Sequence, residues 1–294
     1  MKLIVKPSSL KYIKEEKKKA YAFLFGIKNL SINKMFTLTV KQLDNIIKKE
    51  NIKVFISLDK NIFNKDISYL KKVLLELDKL NVCGIMFYDL SILYLAKSLN
   101  IKTPLVWNQN FFVTNYETIN YYKSKNVSSV YLSSEITYDE IEEITKNINS
   151  KTFINGFGYQ LMSYSKRKFI TNYFKYNKKF NINKIHYLEE NNHKYIIKEE
   201  KEGTAILSCY ILNSINYLNK FKIIGIDYLV LDESFIDHDK FLEVVDIYSD
   251  FLNKKDIEND QKIEKLFPGI EVSEGFLNKK TIYRVKKEKR NEKN

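Results

Sequence analysis

Arginine is the scarce cation of this chain: of 49 lysine and arginine residues only three are arginine, and Arg167 is the only one before Arg284. It lies in residues 155–174, NGFGYQLMSYSKRKFITNYF, where glycines, hydroxyls and aromatics crowd at what reads as the end of a strand. A planar guanidinium with five donors can grip a carboxylate or phosphate bidentately, as an ammonium cannot. Arg167, flanked by Lys166 and Lys168, is therefore a candidate anion clamp for a carboxylate substrate or an RNA phosphate. A packing or ion-pair role is the competing reading. Ser163 and Ser165 add hydroxyls, with Ser165 the candidate catalytic one, although either can equally be a turn residue. No His or Asp stands near them in sequence to activate a nucleophile.

Further polar residues stand just past other apolar runs: Asp59, Tyr88-Asp89, Trp107 to Asn110, Ser133-Ser134-Glu135 and Asp232-Glu233. Glu135 and Asp89 are candidates for orienting a substrate or moving its protons. Asn108 and Asn110 can hydrogen-bond it, and Trp107 and Tyr164 can stack an unpaired base. Each has a plainer alternative: Asp89 as a helix cap, Glu135 as a solvated loop charge, Trp107 as core. His186, His193 and His238 lack metal-binding spacing, and the glycines form no phosphate loop or dinucleotide fingerprint. A metalloprotease, a serine hydrolase and a P-loop enzyme are all disfavoured.

The elements that must position these residues alternate regularly. Apolar runs at residues 3–5, 21–25, 53–58, 83–87, 105–107, 129–132, 152–154 and 227–231 are separated by amphipathic segments. Thr39 reads as one helix N-cap and Asp66 as another, the latter before Leu70, Val73, Leu74, Leu77 and Leu80 at helical spacing. Short strands apolar on both faces belong to a parallel sheet covered on both sides. Eight of them predict an α/β fold, a (β/α)8 TIM-like barrel with its chemistry at the carboxyl ends of the strands. A doubly wound open sheet is the alternative. Residues 184–189, 193–199 and 204–209 read as antiparallel strands before the last barrel strand. The expected organisation is a barrel over residues 1–255 with a β-hairpin region inserted at 183–210. Residues 256–294 are expected to be a basic C-terminal tail whose final run, 286–294, is disordered.

Hydrophobic residues make up 44% of the chain and aromatics 14%, which excludes a disordered protein. The net charge of +13 invites a polyanion such as RNA. Abundant Lys, Asn, Ile and Tyr with scarce Gly and Pro is also what an AT-rich genome imposes on any protein. Cys83 and Cys209 are too few and too distant for a disulfide framework or metal cage, which fits a reducing cytoplasm. No apolar run approaches the ~20 residues that span a bilayer. A soluble, cytoplasmic protein with no membrane partner is expected.

The order of segments resembles the peptidase U32 (collagenase-like peptidase) family over most of the chain. The first strand ending at Pro7, the second ending at Gly26, residues 84–90 (GIMFYDL), Val113-Thr-Asn115, residues 132–135 (LSSE) and Ser163-Tyr-Ser165 are similar to successive family landmarks. Residues 275–285 are similar to the ending of its short bacterial members. The resemblance implies RNA or quinone hydroxylation, and in particular a relation to the prephenate-dependent enzymes that make 5-hydroxyuridine at the tRNA wobble position. Many members hold an iron–sulfur cluster on cysteines around the Ser-Tyr-Ser segment, and Leu161 and Lys168 stand at those positions here. Thiolates hold such clusters, so this chain is expected to bind no metal or cofactor alone, with a cluster only on a partner and prephenate as a possible co-substrate.

The family's Ser-Arg-Glu appears as Ser133-Ser134-Glu135, and its strand-five glutamine as Asn110; both departures weigh against an independent active site. Residues 165–174 are similar to cluster-free members proposed to work beside a longer, cluster-bearing paralogue. The expected function is wobble-uridine hydroxylation as a cluster-free subunit or paralogue, with tRNA and such a paralogue as partners. Whether the chain is itself the enzyme stays open, as do a peptidase and a noncatalytic scaffold for the partner.

Overall fold

Branched and aromatic residues on both faces of a short run leave no side for water, so such strands must pair and be covered twice. The computed structural model describes residues 1–32, 35–179, 185–253 and 260–279. Its strands are β1 (Lys2–Lys6), β2 (Ala22–Gly26), β3 (Val54–Leu58), β4 (Gly84–Phe87), β5 (Leu105–Trp107), β6 (Ser129–Tyr131), β7 (Lys151–Ser165), β8 (Ile185–Glu190), β9 (His193–Glu200), β10 (Gly203–Asn213), β11 (Tyr228–Asp232) and β12 (Glu271–Ser273). Strands β1 to β7 are parallel neighbours in chain order, and β11 pairs in parallel with both β7 and β1. That double pairing closes an eight-stranded barrel and excludes the open sheet.

Alternate residues divide between two cores. Ile4, Leu24, Phe55, Met86, Val106, Phe153 and Val230 fill the barrel interior, where the Phe153 ring stacks on Tyr228 at 4.2 Å and meets Phe55 edge-on at 5.1 Å. Their neighbours Val5, Phe23, Ile56, Phe87 and Trp107 point outward into a larger core beneath the helices. Those helices are α1 (Ile13–Glu16), α2 (Val40–Glu50), α3 (Ile67–Lys79), α4 (Leu90–Ser98), α5 (Tyr116–Ser124), α6 (Tyr138–Lys146), α7 (Phe169–Tyr176), α8 (Leu218–Ile223), α9 (His238–Leu252) and α10 (Asp260–Leu266).

Thr39 caps α2 through a reciprocal box with Gln42, and Thr137 caps α6 in the same way with Glu140. Asp66 differs from expectation. It is already helical in its backbone and bonds back to the Phe63 N–H at 3.1 Å, so it closes a 3₁₀ turn that leads into α3. Asn51, Asn81, Asn100 and Asn126 take positive φ just past α2, α3, α4 and α5, the left-handed position that glycine usually fills.

The largest departure from the sequence reading is β7. Residues 155–167 read from sequence as lying just past the end of the strand at 152–154, but β7 runs on through Ser165, leaving the barrel and pairing with β10 as an antiparallel arm that β9 and β8 extend. The inserted strands are thus an extension of the barrel wall. Gly158 permits the crossing: its φ is +119°, and a Cβ there would lie 2.6 Å from the Asp232 carbonyl oxygen. Residues 260–279, assigned to the tail from sequence, hold α10 and β12. Strand β12 pairs with β10, and Ile263, Phe267 and Leu277 are buried in the outer core. The run 286–294 lies outside the described residues. Among the described residues no helix is long and apolar enough to cross a membrane.

Candidate functional site

Strand parity decides which residues reach the barrel mouth. Ile4, Phe55, Met86, Val106, Phe153 and Val230 point inward, so Lys6, Ser57, Tyr88, Asn108, Asn155 and Asp232, two places on, point the same way at the carboxyl ends. All six line a cavity of about 210 Å³, joined by Asp59, Asn110, Tyr131, Gln160 and Tyr164. A cavity of about 150 Å³ can hold benzene, so this one suits a single substituted six-membered ring.

The floor is an ion pair. Lys6 Nζ donates to Asp232 Oδ2, with the two side chains 9% and 15% exposed, and Asp232 Oδ1 accepts the Ser234 N–H at 2.9 Å. The Tyr131 hydroxyl donates to Asn155 Oδ1 at 2.6 Å. Burial, and secondarily the charge of Asp232, push the Tyr131 phenol well above its usual pKa, so it stays a proton donor at neutral pH. Asp59 accepts from the Ile32 N–H at 2.7 Å and the Ser57 hydroxyl at 3.1 Å. Asn108 is different: its Oδ1 is buried with no hydrogen-bond partner in the protein, an acceptor that a ligand N–H can satisfy. The cavity offers charge of both signs, phenols and amides, and it can bind and orient a small polar ring.

The arm forms a roof, with Tyr159, Gln160, Leu161 and Tyr164 of β7 in the lining. The Tyr164 hydroxyl donates to the Glu202 carbonyl at 2.8 Å, and burial, then Glu202, push its pKa up to about 12. Buried Lys60 fastens the arm across the mouth. Its ammonium reaches the Asn29 carbonyl at 3.1 Å, Asp66 at 3.3 Å and Glu202 at 3.5 Å. Nearby, the Lys166 ammonium lies 3.7 Å from the centre of the Phe63 ring.

Of the residues given a binding role from sequence, Asn108, Asn110 and Tyr164 meet at this cavity, together with Asp59, Tyr88, Ser134 and Asp232 from the strand ends singled out with them. Trp107 does not, and its expectation as a stacking platform is corrected. It is 1% exposed, its ring stacks on Tyr122 at 4.1 Å and its indole N–H donates to Gln109, because outward parity sends it under the helices. Asp89 caps α4: one oxygen accepts the Ser91 N–H and the other the Ile62 N–H, both at 2.9 Å. Glu135 is exposed on the loop before α6, where partial burial of the carboxyl raises its pKa above the usual value. Ser165 Oγ accepts the Arg167 N–H at 3.2 Å, and the Arg167 carbonyl accepts from Thr204 Oγ1 at 2.7 Å. Lys166, Arg167 and Lys168 are exposed at the outer end of the arm. They make a basic ledge outside the cavity wall.

Sequence reasoning places Asp232 on the rim and passes over Lys6. The signal was available: a lysine and an aspartate each close an apolar run, Leu3 to Val5 and Tyr228 to Leu231, in phase with its inward residues. Iron–sulfur ligation does not fit these residues. Cys83 stands at the amino-terminal start of β4 and Cys209 on the arm, at opposite ends of the barrel, and such a cluster takes four ligands.

A family model for peptidase family U32 matches residues 11–287. The tRNA hydroxylation protein P2 of Bacillus subtilis (strain 168) is 28% identical over 254 residues, 80% of this chain and 82% of that protein. A solved U32 peptidase superposes with a TM-score of 0.52 at 10% identity, covering 80% of this chain and 93% of that one. This last likeness shows the fold.

Proposed function

This chain belongs to peptidase family U32, and from that premise we propose that it acts in tRNA hydroxylation, in 5-hydroxyuridine formation at the wobble position, as a cluster-free subunit or paralogue of a U32-type hydroxylase. The observation that carries the reading is the match to tRNA hydroxylation protein P2 over four fifths of both chains. The cavity supports it. Its volume suits a pyrimidine, the unpartnered Asn108 oxygen complements the uracil N3–H, and Lys6 complements a ring carbonyl or the carboxylate of a co-substrate such as prephenate. Arg167, Lys166 and Lys168 engage tRNA phosphates beside the mouth, which position the nucleic acid while the cavity reads the base. Tyr164 and Asn110 border the entering base, and Glu135 serves at the rim. Asp89 holds the α4 loop in place.

The reading places the chain in the cytoplasm with tRNA, and any iron–sulfur cluster on a longer paralogue. A peptidase would need an activated nucleophile, and the contact on the Ser165 hydroxyl is a backbone N–H, not a base. The test is nucleoside mass spectrometry of bulk tRNA from a strain lacking this gene and any redundant paralogue. Loss of wobble 5-hydroxyuridine derivatives is expected, and unchanged levels contradict the proposal.

A further inference from the structure

Away from the mouth cavity, three ionisable side chains meet behind the seam where β1 pairs with β11. Glu16 ends α1, Glu233 follows β11 and His238 opens α9; one ligand-capable atom from each lies within 4.8 Å of the others. None of the three lines the mouth cavity. Glu16 is 0% exposed, and neither of its carboxylate oxygens has a hydrogen-bond partner in the protein. The Nε2 of His238 is likewise buried and unpartnered.

Glu233, 1% exposed, accepts the Ser8 N–H with one oxygen and meets His238 Nδ1 at 2.7 Å with the other. A cation seated at that contact takes the place of the proton between the two groups, so that Nδ1 and the Glu233 oxygen, already 2.7 Å apart, can both ligate it. The Tyr12 ring stacks on His238 at 3.2 Å between centroids and 11° between planes, fixing the imidazole from its face. An ionised carboxylate buried without a partner is too costly to persist.

We propose that Glu16, Glu233 and His238 form a binding site for one divalent transition-metal cation of the zinc or manganese class. Two carboxylate oxygens and an imidazole nitrogen are a borderline donor set for such ions, and two negative charges match the cation. The cation ties α1 to α9 across the seam that closes the barrel. Because Glu233 adjoins Asp232 and Ser8 follows Lys6 by two residues, the site also steadies the floor of the mouth cavity. This role is structural and does not depend on the hydroxylation reading.

The test must separate this site from the surface group His193, Cys209 and Glu271, whose ligand atoms also lie within 4.8 Å of one another. The full chain carrying His193→Ala and Cys209→Ser is stripped with a chelator and titrated with Zn²⁺, then separately with Mn²⁺, by calorimetry, with melting temperature read in parallel. The expected result is one equivalent bound per chain by at least one of the two ions and a higher melting temperature on binding. Glu16→Gln and His238→Gln added singly to that background weaken binding by ~10-fold or more, the scale seen even for residues that only orient ligands. Glu16→Gln keeps side-chain shape and removes the buried charge, so a folded variant is expected. No stoichiometric uptake of either ion by the background protein, or uptake that both variants leave unchanged, overturns the proposal.

Discussion

Lys6 and Asp232 face each other on the first and last barrel strands, and each has the other as its countercharge at the cavity floor. Removing one partner of a buried pair leaves an uncompensated charge and costs about 3–5 kcal/mol, whereas replacing both by apolar groups is often close to neutral. Lys6→Met alone is therefore expected to lower stability by about 3 kcal/mol in urea unfolding, and Lys6→Met/Asp232→Leu to recover most of the loss. On the arm, Arg167, Lys166 and Lys168 make the second residue-scale prediction. Their joint replacement by alanine should flatten the dependence of log tRNA affinity on log salt by roughly two to three units. Arg167→Lys alone should weaken tRNA binding more than a lysine-to-alanine change elsewhere on the surface, since charge is kept and bidentate geometry lost. An unchanged salt slope would remove the ledge from the tRNA interface. Asn108 was legible as a residue of the strand-end rim because it follows the apolar run 105–107, whereas Tyr164, singled out only as an aromatic, reaches the cavity from within β7, well past the run read as its strand. Trp107 misleads when only its type is read, because its position one residue after inward-facing Val106 sends it into the outer core.

The arm is the element that makes the mouth a covered cavity, and it depends on Gly158. Alanine there would combine a φ of +119° with a Cβ 2.6 Å from the Asp232 carbonyl oxygen. Gly158→Ala is expected to cost about 2 kcal/mol or more and to displace Asp232, measurable as a lower melting temperature together with weaker ligand binding. On the opposite side of the barrel Asp78 of α3 clamps the turn into β5. It accepts the Lys102 N–H at 2.9 Å, the Thr103 N–H at 2.7 Å and the Thr103 hydroxyl at 2.8 Å. Burial raises its carboxyl, but the hydrogen bonds from Thr103 and Lys102 outweigh that and hold it below the usual 3.8. As pH falls the unfolded chain takes up this proton first, so the stabilisation is full above the unfolded value and is lost as pH falls through the lower folded one. Asp78→Ala should cost about 2 kcal/mol at neutral pH and progressively less in acid, by urea unfolding at each pH. The barrel strands were readable because they are apolar on both faces. Strands β8 to β10 of the arm were readable as antiparallel strands too, but its β7 half was not, since Gly156, Gly158 and the Ser-Tyr-Ser segment carry the marks of a loop, and only pairing with the distant β10 holds them extended.

Across the whole molecule, a lysine-rich and glycine-poor composition is accommodated without loss of the barrel. Asparagines take left-handed positions past four helices, and buried lysines are tethered, Lys6 to Asp232 and Lys60 to Asp66 and Glu202. The fold class followed from the eight-fold alternation alone, whereas the closing pair β7–β11 and the packing of residues 260–279 depend on contacts that no local pattern encodes. The proposed role assigns the covered mouth of this barrel to tRNA hydroxylation. Its most direct test is complementation of a strain lacking this gene and any redundant paralogue, with wobble 5-hydroxyuridine derivatives measured by nucleoside mass spectrometry. The wild-type gene should restore them, and Lys6→Met/Asp232→Leu, folded but without its charged floor, should not. Equal restoration by both, or levels that never fell in the deletion strain, would contradict the account.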